Sequence, residues 1–223
     1  VPPAPPAARV AARKSPARKP ASTRLPRADN RLPQVLDAAA ALFARKGYQA
    51  ASIREIVKAV GMLPGSLYYH FANKDELLVA VYAEGVRRIS DAVSAAVARK
   101  NEPWDQLEAA CVAHLESLLD QSAYAKVVVS VQPADAPPVA KALVALRDGY
   151  EAQFVALMEA LPLPQRPANR KTRSTLRRLL LGALNWAPVW YRPNLGANSA
   201  PPQRIAQDFV QLLKMELASR KPK

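Results

Sequence analysis

The chain has 223 residues, 50% of them hydrophobic, enough for one large domain or two small ones around a packed core. It carries 32 Lys and Arg against 18 Asp and Glu, a formal charge of +14, which favours an anionic polymer or surface as partner without choosing among DNA, RNA and anionic lipid. One cysteine, Cys111, rules out an intrachain disulfide and fits a reducing compartment.

Residues 1–30 are rich in Pro, Ala, Arg and Lys and hold no aromatic side chain, so they read as a disordered basic tail. Such an arm stays solvated or tracks phosphates, and it lacks the Trp, Phe and amphipathic pattern of a membrane-surface helix. No apolar run marks a secretory signal at its start. The longest apolar stretch, residues 179–191, is too short to span a bilayer and contains Pro188. A cytoplasmic location without a membrane partner is the expectation.

The texture changes at Arg31. Leu32, Val35, Leu36, Ala39, Leu42 and Phe43 recur at helical spacing, and Gly47 stands where a helix C-cap would. Ser52 and Glu55 form a capping box opening a short helix through Ile53, Ile56, Val57 and Val60. Gly61 breaks it, and Pro64 opens the next helix at its first position. Asn73 and Glu76 form a second capping box, starting a long helix that runs to about Arg99. Short helices joined by a glycine turn make a helix-turn-helix, whose second helix enters the major groove.

On a helical wheel of residues 64–71, Leu67 and Phe71 share the core-facing direction. Tyr69 and Gly65 point the other way, and Tyr68, His70 and Ser66 lie between. Tyrosine hydroxyls and an imidazole N–H donate to phosphate oxygens, and a ring lies against a thymine methyl. The same residue types also serve as half-buried packing. No Arg, Asn or Gln on this helix offers a bidentate base contact, so phosphate clamping and DNA shape are expected to carry much of the recognition.

Beyond Pro103 the pattern stays helical, with segments at 104–119, 123–131 and 138–161, then helices from Lys171 to Tyr191 and from Pro201 to Ala218. The breaks are Pro-rich, and no segment shows sustained strand alternation. The fold class expected is all-α. Its division is a tail (1–30), a helix-turn-helix DNA-binding domain (31–73), a long connecting helix (74–100) and a helical ligand-binding and dimerisation domain (101–223).

In the last part, polar groups interrupt an apolar background: Cys111, His114, Tyr124, Gln132, Tyr150, Phe154, Asn185, Trp186 and Trp190. This mixture suits a pocket for a partly apolar ligand as well as an ordinary core. Cys111 and His114 lie three apart on one helix face, but no third ligand stands nearby, so neither a metal nor a catalytic role is expected. A Gly-rich phosphate loop and a paired-carboxylate constellation are also missing, which argues against an enzyme.

The run AAAALFARKGYQAASIREIVKAVGMLPGSLYYHFANKDELL resembles the N-terminal domain of the tetracycline-repressor (TetR/AcrR) family of bacterial transcriptional regulators. F-x-x-K-G-Y, I-x-x-I-x-x-x-x-G, L-Y-Y-H-F and N-K-x-E-L stand in the family's order. The resemblance implies a homodimer on a near-palindromic operator in double-stranded DNA, probed by Ser52, Pro64, Gly65, Ser66, Tyr68, Tyr69, His70 and Lys74. It also implies a small-molecule effector and no cofactor, with the final two helices as the dimer interface. One departure is Leu63, where members often carry a capping Ser or Thr; a lost cap costs ~1 kcal/mol.

The segment WYRPNLGANSAPPQRIAQDFVQLL resembles members that respond to acyl-CoA thioesters, and Arg147, Arg170, Arg173, Arg177, Arg178 and Arg192 offer partners for CoA phosphates. The expected function is a ligand-released dimeric repressor of a metabolic or efflux operon. The competing class is a DNA-binding architectural protein that takes no ligand.

Overall fold

The computed structural model describes residues 31–163, 170–192 and 200–219; the basic tail lies outside the described residues. Among the described residues every regular element is helical. They are α1 (Leu32–Lys46), α2 (Ile53–Ala59), α3 (Pro64–Tyr68), α4 (Lys74–Val97), α5 (Pro103–Leu119), α6 (Ala123–Ser130), α7 (Ala140–Ala160), α8 (Arg170–Trp190) and α9 (Pro202–Ser219). The 3-10 turns Pro133–Asp135 and Pro137–Val139 link α6 to α7.

The local chemistry explains the first four helices. In α1, Val35, Ala39, Ala40, Leu42 and Phe43 are buried along one stripe. Arg45 and Lys46 stand in its last turn, favourable at the negative end of the helix dipole. The chain leaves α1 at Gly47 (φ +80°) and turns after α2 at Gly61 (φ +62°), backbone that side-chain-bearing residues rarely adopt. Ser52 accepts the Glu55 amide while the Glu55 carboxylate returns to the Ser52 amide, as the capping box requires. At α4 the expected box is altered. Asn73 accepts the Glu76 amide at 2.9 Å, but Asn73 is fully extended and the Glu76 carboxylate takes the Ala72 amide at 2.8 Å. α3 begins at Leu63 with no side-chain cap, the consequence expected of that residue.

Two apolar cores share α4. Leu77, Leu78, Val81 and Tyr82 join residues of α1–α3 and also Tyr124, Val127, Val131 and Leu143. The helix-turn-helix unit is therefore packed directly onto α6. Gly85 marks the crossing of α4 and α6, since a Cβ there would stand 2.6 Å from Val128 Cγ2 and 3.2 Å from the Tyr124 carbonyl. Farther along α4, Val93 enters the second core with residues of α5, α7, α8 and α9.

α8 passes through Pro188 without ending. Its apolar residues divide between two faces. Leu180, Leu181, Leu184 and Ala187 are buried, whereas Leu179, Gly182, Ala183, Trp186 and Trp190 are exposed. In α9, Ala206 and Val210 are buried, while Leu212 and Met215 face solvent. No helix among the described residues is long and apolar enough to cross a membrane.

Candidate nucleic-acid interface and effector cavity

α3 is held by one residue: Leu67 is wholly buried and Phe71 packs partly against the same core. That anchor fixes which side faces out. Pro64, Gly65 and Ser66 are exposed, Tyr68 is 52% and Tyr69 84% exposed, and His70 is half-buried. The Tyr69 and His70 rings meet edge to face, centroids 5.5 Å apart. Gly65, Ser66, Tyr69 and His70 line one shallow groove with Gly61, Met62, Leu63 and Arg31. Arg31 was not singled out from sequence. It precedes α1 by one residue, and only the return of the chain past Gly61 brings it beside α3. Such a groove can present hydroxyl, imidazole and guanidinium donors to phosphate oxygens.

Two other residues expected at this interface do not line that groove. The Ser52 hydroxyl is occupied by Glu55, accepting its amide at 3.3 Å and donating to its carboxylate at 2.9 Å. Lys74 Nζ donates to the carbonyls of Tyr48 (3.0 Å), Gln49 (3.1 Å) and Ala51 (3.1 Å), and sits 4.5 Å from the Tyr48 ring centroid. Its ammonium is thus held by the α1–α2 loop. Asp75 accepts from the Tyr48 hydroxyl beside it, and burial together with that carboxylate raises the Tyr48 pKa. The same loop meets the far unit through Gln49 Nε2, which donates to the Asp135 carbonyl at 2.5 Å.

A cavity of about 160 Å³ lies among α4, α5, α6, α7 and α8. Tyr82, Val86, Ile89, Leu118, Val128, Val129 and Leu181 supply its apolar walls; Gln132, Arg147, Glu151 and the pair Tyr150 and Asn185 on either side of His114 supply its polar ones. His114 Nδ1 lies 2.6 Å from the Tyr150 hydroxyl and Nε2 3.0 Å from Asn185 Oδ1. Burial lowers the His114 pKa to about 4, opposed by the hydrogen bond to Asn185, so the ring is neutral at pH 7. Burial also raises the Tyr150 pKa, which keeps its hydroxyl protonated. Arg177 pairs with Glu151 at 2.5 Å.

Of the ligand residues expected from sequence, the cavity gathers His114, Gln132, Tyr150 and Asn185 and leaves out the rest. Cys111 is fully buried in the second core, where burial raises its thiol pKa. Phe154 packs behind the wall, its ring edge against His114 and Tyr150. Tyr124 faces α1, donating to Asp37 at 2.9 Å beneath Arg88, whose guanidinium is 4.0 Å from its ring centroid. Trp186 and Trp190 stand on the outer face of α8.

Three of the six arginines offered as phosphate partners are otherwise engaged. Arg173 holds the carbonyls of Met158 and Leu161 at the end of α7, Arg177 holds Glu151, and Arg192 donates to the carbonyls of Val189 and Tyr191. The Arg170 side chain lies outside the described residues. Tyr82 and Glu151 were missed as lining residues because each sits in an ordinary helical repeat, and only the crossing of α4 and α7 turns them toward one space. Among the described residues no group of His, Cys, Asp and Glu is arranged to hold a metal ion.

Comparison with known proteins fits both halves. Residues 35–81 match "Bacterial regulatory proteins, tetR family", and residues 100–215 match "Tetracyclin repressor-like, C-terminal domain". The chain is 44% identical over 50 residues to the HTH-type transcriptional repressor KstR2 of Mycobacterium tuberculosis, covering 22% of this chain and 25% of that protein. The matched region therefore spans about a quarter of that relative's length. Among solved structures, a TetR-family transcriptional regulator from Bordetella parapertussis superposes with a TM-score of 0.64 at 26% identity, covering 81% of this chain and 92% of that one. AibR in complex with isovaleryl coenzyme A and operator DNA has the same fold, with a TM-score of 0.64 at 22% identity over 81% of this chain and 96% of that one. With both of its halves matched, the second over more than half of its length, the chain belongs to the tetR family of bacterial regulatory proteins.

Proposed function

We propose that the protein is a dimeric DNA-binding transcriptional repressor released by a small-molecule effector, acting in the bacterial cytoplasm rather than as an enzyme. The observation that carries this reading is the outer side of α3: Tyr68, Tyr69 and Ser66 stand in solvent on a helix anchored by the wholly buried Leu67. An aromatic ridge with hydrogen-bonding tips, kept exposed beside Arg31, suits a phosphate-lined groove. A helix of 5 residues reaches few base pairs by itself, so two copies on successive major-groove turns supply the affinity.

The second copy has a surface to meet. Leu179, Gly182, Ala183, Trp186 and Trp190 follow one helical stripe on α8, with Leu212 and Met215 exposed on α9. Small residues amid large ones allow close approach in a two-fold four-helix interface. The effector is read as an acyl compound, free or CoA-linked, in the cavity behind His114. The mixed lining supports this, as does AibR, a protein of this fold solved with isovaleryl coenzyme A and operator DNA.

The test is titration of the protein against the DNA upstream of its own gene, with random duplex as competitor at near-physiological salt. Specific binding is expected, and Tyr69→Ala is expected to weaken it about tenfold or more while leaving the melting temperature unchanged. Equal affinity for random and upstream DNA at every candidate site, with no release by any acyl compound, would instead favour the ligand-independent architectural protein.

A further inference from the structure

The cavity's charge is unbalanced. Of its two charged lining residues, Glu151 is neutralised by Arg177 at 2.5 Å, with both side chains largely covered. Arg147 has no such partner. Its Nη2 donates to the Tyr82 hydroxyl at 3.3 Å, and no carboxylate among the described residues lies within ion-pair distance of it. A half-buried guanidinium facing apolar walls is costly until an anion joins it.

The polar relay beside it adds a donor of the same sense. The Asn185 oxygen only accepts, so His114 Nε2 carries the ring proton and Nδ1 accepts the Tyr150 hydroxyl. That order leaves the Asn185 NH₂ uncommitted on the lining. Turning the amide over reverses the relay and frees the Tyr150 hydroxyl proton instead. Either arrangement gives the cavity a neutral hydrogen-bond donor in addition to the cation. The volume, about 160 Å³, corresponds to roughly a dozen water molecules and so to a ligand of about ten to fifteen non-hydrogen atoms.

We propose that the cavity selects a free monocarboxylate with a compact apolar body, its anionic head balanced by Arg147 and its body lying against Val86, Ile89, Leu118 and Leu181. This rests on the repressor reading, in which the cavity is the effector site. It narrows the acyl compounds of that reading to the acid itself. A thioester carbonyl is neutral and leaves Arg147 uncompensated. An ammonium head is repelled, and an alcohol forgoes the charge pairing.

The test is isothermal titration calorimetry of the full chain at pH 7 with octanoate, phenylacetate, octan-1-ol and octanoyl-CoA, repeated on Arg147→Gln. At least one of the two acids is expected to bind about tenfold or more tightly than octan-1-ol, and Arg147→Gln is expected to erase that preference while retaining the alcohol's affinity. Retained alcohol binding certifies that the variant cavity is folded. The proposal is overturned if the alcohol binds as tightly as the acids, if octanoyl-CoA binds and neither acid does, if no probe binds, or if the preference survives in Arg147→Gln. Binding of the same unliganded preparation to upstream DNA is scored separately. A repressor that ignores acids thus stays distinguishable from a protein that is no repressor.

Discussion

Tyr69 at the end of α3 and Trp186 on α8 are both large aromatic side chains standing in solvent, 84% and 61% exposed, yet their surroundings differ in kind. Around Tyr69 lie Ser66, His70 and Arg31, each with a polar group that water satisfies as readily as a phosphate does. Around Trp186 the same helical stripe holds Leu179, Gly182, Ala183 and Trp190, none of them charged. Exposure alone therefore does not identify a partner. A ridge with polar tips can stand bare in the free protein and bind reversibly. A broad apolar stripe is costly in water and suits permanent cover by another apolar face.

The sharpest way to break that contrast is to charge the second face. Trp186→Glu is expected to convert the proposed dimer to a monomer in size-exclusion chromatography with light scattering. It should also lower operator affinity by about a hundredfold, because the two half-sites are no longer engaged together. The monomer should keep its helical circular dichroism, since Trp186 supports neither apolar core. A variant that remains dimeric at micromolar concentration would mean that this stripe is not the interface.

A second test concerns the buried histidine beside the cavity. His114 has its pKa lowered to about 4 by burial, so between pH 6.5 and 4 the unfolded chain binds a proton that the folded chain refuses. Its contribution to stability is full above pH 6.5 and is lost as pH falls through that window, a swing of roughly 3 kcal/mol. In urea titrations across that range, the parent protein should lose that much more stability than His114→Gln. Parallel pH profiles for the two proteins would show that His114 is hydrated and titrates normally.

The two regions also differ in how much the sequence disclosed. Helix order and class follow from apolar spacing, caps and proline breaks, because these are local: Ser52, Gly47, Gly61 and Pro64 each act within a turn of where they stand. The outward side of α3 was legible for the same reason, since the burial of Leu67 fixes its neighbours on a short helix. The cavity was only half legible. His114, Gln132, Tyr150 and Asn185 stood out as polar groups in apolar helices, but whether a residue lines a space depends on crossings such as that at Gly85, which no single helix records. Thus Tyr124 and Phe154, chemically indistinguishable from lining residues, turn to Asp37 and to the packed core. Arg31 joins the groove through the return of the chain past Gly61, and Lys74 is tied to the α1–α2 loop, and neither relation is local in sequence.

Lys74 offers the finest test, because two mechanisms predict different observables for one substitution. If its ammonium held a phosphate, Lys74→Met would reduce the salt dependence of DNA binding by about one counterion and leave the free protein unchanged. The geometry favours the other outcome. The ammonium gathers the Tyr48, Gln49 and Ala51 carbonyls, and removing it leaves the loop between α1 and α2 without that tie. Lys74→Met is therefore expected to lower stability by ~1–2 kcal/mol, measurable by urea unfolding in the absence of DNA. The salt slope of operator binding should stay unchanged while affinity falls modestly at every salt concentration. That pattern would place Lys74 with Leu67 among the residues that hold the ridge in position, and leave direct contact to Tyr69, Ser66 and their neighbours in the groove.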